Sequence, residues 1–253
     1  KIMTSRAGSN SQAFEPVTLV ELLRANALHR PDQRVFTFLL DGDADEAHLS
    51  LGELDQRARS IAAALQRLDL AGERALLLYQ PSLEYIAAFF GCLYAGVIAV
   101  PAYPPNPARL NRSLPRIQSI VSNARARVAL TTQGFVALTE QVFEHAPELA
   151  ALDWLATDQL PAQSAEDWRA PRIEPATLAF LQYTSGSTGT PKGVMLSHGN
   201  LLANMQLIKA GFDLTASDTA VSWLPPYHDM GLIGGILEPI YAGVYSVLMS
   251  PMA

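Results

Sequence analysis

The sequence predicts an α/β fold of mostly parallel sheet flanked by helices. Short apolar runs of strand length alternate with longer stretches in which apolar residues recur at helical spacing. Residues 75–100 also read as strand, helix and strand in immediate succession, and such a β-α-β unit implies parallel pairing through a right-handed crossover. The composition, 49% hydrophobic and 17% charged over 253 residues, is that of a folded chain with a substantial core.

The elements follow in order. Residues 1–16 are polar and lack the hydrophobic core of a signal peptide, so they read as a flexible lead-in to one domain over 17–253. Residues 34–40 form a strand, and 41–47 an acidic, hairpin-like turn. Ser50 and Glu53 have capping-box spacing, and Leu54, Ala58, Ile61, Ala62, Leu65 and Leu68 continue as a helix. Residues 75–79 are a continuous apolar run, as in a strand buried on both faces. Pro81-Ser82 opens a helix through Tyr94 that Gly96 ends, and 97–100 is the next strand.

Helices are then expected at 114–123, 135–145, 200–210 and 232–242, and strands at 127–131, 153–156, 178–183, 220–224 and 244–249. Two proline-rich connections interrupt the rhythm, at 101–107 and 160–175. The first is expected to leave the sheet, because proline removes ladder donors.

Bulk properties exclude some functions. A net charge of −6 without a basic stripe argues against a nucleic-acid partner. No stretch is long and apolar enough for a transmembrane segment, and a cytoplasmic enzyme is the default. Cys92 is the only cysteine; it lies in an apolar run and reads as a buried, inert thiol.

The chemistry concentrates in Tyr183-Thr184-Ser185-Gly186-Ser187-Thr188-Gly189-Thr190-Pro191-Lys192-Gly193. It holds three glycines, five Ser/Thr hydroxyls, one lysine and no acid. Glycines let backbone N–H groups turn onto a common anion, hydroxyls add donors, and Lys192 adds a mobile positive charge. The loop follows an apolar run, where open α/β sheets place their ligands. A Ser/Gly linker would seldom sit between a buried strand and the apolar pair Val194-Met195. The Walker-type P-loop fails too, because Lys192 follows Pro191 and precedes Gly193.

This stretch, continuing as Val194-Met195-Leu196-Ser197-His198-Gly199-Asn200-Leu201, resembles the signature of the adenylate-forming superfamily of acyl-CoA synthetases, peptide-synthetase adenylation domains and luciferases. A second constellation, Trp223-Leu224-Pro225-Pro226-Tyr227-His228-Asp229-Met230-Gly231-Leu232-Ile233-Gly234-Gly235, resembles the fatty acyl-AMP ligase branch. So do the segments Val100-Pro101-Ala102-Tyr103-Pro104-Pro105, Arg109-Leu110, Leu114-Pro115-Arg116-Ile117 and Leu237-Glu238-Pro239-Ile240-Tyr241-Ala242-Gly243. Closely spaced Gly231, Gly234 and Gly235 would let a slender ligand approach the helix backbone. Glu238 and Tyr241 carry no site signal and read as plain helix-surface residues.

The resemblance runs from about residue 18 onward and implies the N-terminal part of that fold, incomplete at Ala253. It implies ATP-dependent activation of a fatty acid to acyl-adenylate and pyrophosphate. Transfer to an acyl carrier protein thiol follows, in lipid, polyketide or lipopeptide synthesis. Thr184, Ser185, Gly186, Ser187, Thr188, Gly189, Thr190 and Lys192 would bind the phosphates of ATP, with Mg²⁺ bridging them. Lys192, His228 and Thr188 would act at the reacting groups. His228, Asp229 and Met230 would border the acyl-adenylate, and Gly231, Gly234 and Gly235 the entrance to the acyl path.

The family's adenine-binding stretch, ribose-binding Asp, hinge and C-terminal lysine have no counterpart up to Ala253, so this polypeptide alone is expected to have little ligase activity. A fatty acyl-CoA synthetase and a non-catalytic binding module remain open as alternatives.

Overall fold

The computed structural model describes residues 15–105, 110–137, 146–184 and 191–251. Among the described residues two sheets carry the fold: a four-stranded sheet ordered β2-β1-β10-β9 and a six-stranded sheet ordered β6-β5-β3-β4-β7-β8. The strands are β1 Arg34–Leu39, β2 Glu46–Ser50, β3 Arg74–Leu78, β4 Ile98–Ala102 and β5 Val128–Thr131. They continue with β6 Asp153–Ala156, β7 Leu178–Thr184, β8 Lys192–Ser197, β9 Thr219–Ser222 and β10 Tyr245–Met249. The β1–β2 and β7–β8 pairs are antiparallel and the rest parallel, as the predicted class requires.

Helix α1 (Leu19–His29) was not foreseen from sequence. Thr18 caps it by accepting from the Glu21 amide at 3.1 Å, and Leu19, Leu22, Leu23 and Ala27 form its buried face. The capping box of α2 (Leu51–Arg67) closes in both directions: Glu53 N donates to Ser50 Oγ, and Ser50 N donates to Glu53 Oε2. In α3 (Leu83–Ala95) Ser82 is the cap and every residue but Glu84 is buried, so this helix is the centre of the core. Gly96 ends it in the left-handed conformation, at φ 69°.

One polar knot ties these three helices. Asp55, 4% exposed, receives hydrogen bonds from Arg24 (2.8 Å), Arg59 (2.8 Å) and the Tyr94 hydroxyl (2.9 Å). A buried carboxylate is tolerated because it is this fully paired.

The β3-α3-β4 unit is parallel, and β4 runs on through Pro101 and Ala102, opposite Leu77 and Leu78. The proline-rich connection therefore leaves the sheet only after Ala102. Pro101 lies past the Ala99–Phe180 pair with β7, which is how a residue without an N–H fits there.

Helix α4 (Leu110–Ala124) carries Pro115 in its interior, at the sixth position, where proline forgoes one intrahelical N–H bond. Short helices α5 (Gln133–Val136) and α6 (Pro147–Ala150) follow; most of the helix expected over 135–145 lies outside the described residues. Helix α7 (His198–Phe212) has a second capping box, with Ser197 and Asn200 exchanging backbone and side-chain bonds. The stretch expected as one helix over 232–242 is a π-helix, Met230–Leu237, running into α8 (Glu238–Ala242). Among the described residues no helix is long and apolar enough to cross a membrane.

Candidate active site

The strands β4, β7 and β9 end at one place. Tyr103 follows β4, Thr184 ends β7, and the turn Pro225-Pro226-Tyr227-His228-Asp229 follows β9. Together with Arg116 of α4, Gln182 and Tyr183 they line a cavity of about 440 Å³ at the carboxyl ends of strands from both sheets. Its size falls in the range of small-molecule sites, and open α/β sheets bind ligands at this end. A larger hollow of about 520 Å³, between α1 and the segment bearing Trp168, Pro171 and Ile173, has a mostly apolar lining and no convergent set of donors.

The turn is held from beneath. Tyr85, buried in α3, donates its hydroxyl to the Pro226 carbonyl at 2.7 Å, and Gln182 Nε2 donates to the Tyr227 carbonyl at 3.1 Å. Tyr227 is packed between Tyr103 (ring centroids 4.2 Å apart) and Tyr85 (6.4 Å, edge-on). Burial pushes the Tyr227 hydroxyl up to about 12, so it stays a neutral donor at physiological pH. The Gln182 side-chain oxygen, Oε1, is buried with no hydrogen-bond partner among the described residues.

On this platform His228 Nδ1 meets Asp229 Oδ1 at 2.6 Å, both side chains more than half exposed. Asp229 Oδ1 also accepts from the Met230 amide at 2.7 Å, so this carboxylate sits beside the ring and caps the π-helix at once.

The hydroxyl- and glycine-rich loop joins the β7–β8 hairpin. Its root is described: Thr184 pairs with Lys192 and Tyr183 with Gly193, so Lys192 and Gly193 are strand residues rather than loop residues. Ser185, Gly186, Ser187, Thr188, Gly189 and Thr190 lie outside the described residues. The Tyr183 ring lies over Gly193, where a Cβ would stand 3.0 Å from it, so a larger residue would push the ring back by a few tenths of an ångström. The apolar pair after the root, Val194-Met195, is exposed on β8, the edge strand of its sheet.

Thr184, His228 and Asp229 thus line one cavity, with Lys192 exposed across the hairpin from Thr184. Met230, Gly231, Gly234 and Gly235 are not among the residues lining it. A Cβ on Gly231 would stand 2.1 Å from the Pro225 carbonyl oxygen, and one on Gly235 3.2 Å from Ser222 Oγ. In this structure the close approach at those two glycines is by the chain's own backbone and side chain, and Gly231 also lines a small apolar hollow with Phe38, Ile86 and Leu248. Gly234 alone of the three faces open space, beside a small cavity of about 60 Å³ that Glu238 also lines.

Glu238 itself corrects the sequence reading of a helix-surface residue. It is 3% exposed, and neither carboxylate oxygen has a partner among the described residues. Burial pushes its pKa up to about 7, with Lys209 pulling the other way. Tyr103, Arg116 and Gln182 were not singled out from sequence as site residues. The place of Tyr103 immediately beyond a strand's carboxyl end is the signal that marks it.

The family described as AMP-binding enzyme matches residues 23–253, so the chain belongs to that family. It is 44% identical, over 93% of its length, to a medium-chain-fatty-acid–[acyl-carrier-protein] ligase, JamA, of Moorena producens. It is 35% identical, over 94% of its length, to the long-chain-fatty-acid–AMP ligase FadD23 of Mycobacterium tuberculosis. Over 93% of its length it is 37% identical to a putative fatty-acid–CoA ligase, FadD21, of the same species. Among solved structures, the fatty acyl-adenylate ligase from L. pneumophila in complex with acyl adenylate and pyrophosphate superposes with a TM-score of 0.84 at 41% identity. That match covers 94% of this chain and 40% of the other. The chain likewise spans only 40–42% of the length of these curated relatives.

Proposed function

We propose that the chain forms the phosphate- and acyl-adenylate-binding part of an enzyme that activates a fatty acid with ATP and passes the acyl group to an acyl carrier protein. One observation carries this reading: the root of the hydroxyl- and glycine-rich loop and the His228–Asp229 pair line the same cavity. The relatives named above as fatty-acid–AMP and fatty-acid–[acyl-carrier-protein] ligases support the choice of acid and acceptor.

On this reading the fatty carboxylate attacks the α-phosphorus of ATP, and pyrophosphate leaves with the bonding electrons. Catalysis is then mostly positioning and charge stabilisation. Thr184 and Lys192 stand at the two ends of the loop, and the hydroxyls and N–H groups of residues 185–190 supply its phosphate donors. On this reading His228 hydrogen-bonds the acyl-adenylate, with the Asp229 carboxylate beside its ring. Mg²⁺ would ride on the phosphate oxygens; among the described residues no group of three or more His, Cys, Asp or Glu forms a metal cage.

The acceptor is tested by supplying ATP, a fatty acid and either holo acyl carrier protein or coenzyme A. The protein used is the chain together with any sequence that follows it in its gene. Acylation of the carrier without acyl-CoA is the expected result. The FadD21-like alternative predicts acyl-CoA instead.

A further inference from the structure

The cavity wall is unevenly charged. Among the described residues that line it, the carboxylate is that of Asp229, beside His228, and the guanidinium is that of Arg116. Arg116 is exposed on α4 and makes no ion pair or side-chain hydrogen bond among the described residues. Its place is set by a contact further along the helix. Asn123, seven residues on and so on the same helical face, accepts a hydrogen bond from the Tyr183 hydroxyl at 2.6 Å. Tyr183 immediately precedes Thr184, where the loop begins, so this bond fixes the face of α4 that bears Arg116 against the loop root.

We propose that Arg116 is a phosphate-gripping residue, holding the polyphosphate of ATP, and the pyrophosphate as it leaves, from the α4 side of the cavity. This rests on the adenylating reading above. A planar guanidinium binds phosphate oxygens through two parallel N–H donors, and here it has no partner to abandon among the described residues. Approach from α4 would also complement a loop whose only basic residue is Lys192.

The test uses Arg116→Ala and Arg116→Gln in the chain with its following sequence, with unchanged circular dichroism and melting midpoint as the check on folding. Calorimetric titration with ATP, and separately with inorganic pyrophosphate, should show both bound about 10- to 100-fold more weakly by the variants, the scale of one charged hydrogen-bonding partner. Arg116→Lys should recover part of the loss. In pyrophosphate exchange, kcat/KM for ATP should fall on the same scale while KM for the fatty acid stays put.

Unchanged affinity for ATP and pyrophosphate in folded variants would overturn the proposal. So would a loss confined to the fatty acid, which would assign Arg116 to the carboxylate. If the parent binds ATP and pyrophosphate in an Arg116-dependent way yet forms no acyl-adenylate, the fatty-acid reading falls and Arg116 stands. A parent that binds neither overturns both.

Discussion

The Tyr183 hydroxyl donates to Asn123 Oδ1 at 2.6 Å and thereby bolts helix α4 to the strand that leads into the hydroxyl- and glycine-rich loop. The same ring covers Gly193 across the hairpin, so one side chain fixes both strands at the loop root and the helix beside them.

Tyr183→Phe should keep the ring over Gly193 and lose only the bond. A stability loss of no more than about 1 kcal/mol is expected, since Asn123 is exposed and water can replace the lost hydroxyl. A rise in KM for ATP with KM for fatty acid unchanged should accompany it. Urea unfolding and steady-state kinetics read the two effects.

Gly231 and Gly234 separate a steric demand from an open position. Gly231→Ala drives a methyl into the Pro225 carbonyl oxygen, which cannot move without its turn. It should destabilise by at least about 1–3 kcal/mol and disturb the His228 turn. Gly234→Ala meets nothing within 4 Å and should be neutral, or more stable by up to about 1 kcal/mol. If Gly234 borders the acyl path, its alanine variant should nonetheless lose activity toward the longer acids first. Thermal melts and a chain-length series check both.

Glu238 makes stability fall with rising pH. Its folded pKa, raised to about 7 from the ordinary 4.5, keeps it protonated in the native state while the unfolded chain ionises. Its contribution is therefore intact below about pH 4.5 and is lost as pH rises toward 7, by at most about 3 kcal/mol at 1.36 kcal/mol per unit. Glu238→Gln should abolish that slope, and urea midpoints from pH 4.5 to 7.5 for the two proteins measure it.

His198 works in the opposite sense. Its buried Nδ1 accepts from the Leu19 amide at 3.2 Å, and burial lowers its pKa to about 4 from 6.5. The unfolded chain then takes up the proton first, so stability present above about pH 6.5 is lost as pH falls toward 4, again by at most about 3 kcal/mol. His198→Gln keeps an acceptor without the titration and should flatten the acid limb relative to the parent.

Much of this was legible in the sequence where the signal is local. The Ser50–Glu53 capping box, the Ser82 and Gly96 bounds of α3 and the β3-α3-β4 unit follow from neighbouring residues, and each is present. The missed elements lack such a signal. Strand β2 has five residues, only one of them buried, and α1 carries apolar residues on too many sides to show a clear period. The second sheet depends on β1 lying beside β10, with Phe36 opposite Ser246, and no local pattern names a partner that distant.

Glu238 escaped for a geometric reason. The π-helix before it winds with more residues per turn than an α-helix, so the phase counted from an α-helical period puts Glu238 on the wrong face. In the candidate site, the loop and the His228–Asp229 pair were legible as motifs. Arg116 and Gln182 were not, because only the fold carries α4 and β7 to the turn after β9.

The central claim is tested most directly by exchange of radiolabelled pyrophosphate into ATP, using the chain with any sequence that follows it in its gene. The account predicts exchange that requires a fatty acid and collapses in Lys192→Ala and His228→Ala. Exchange driven by an amino acid instead, or no exchange with any fatty acid in a folded protein that binds ATP, would contradict it.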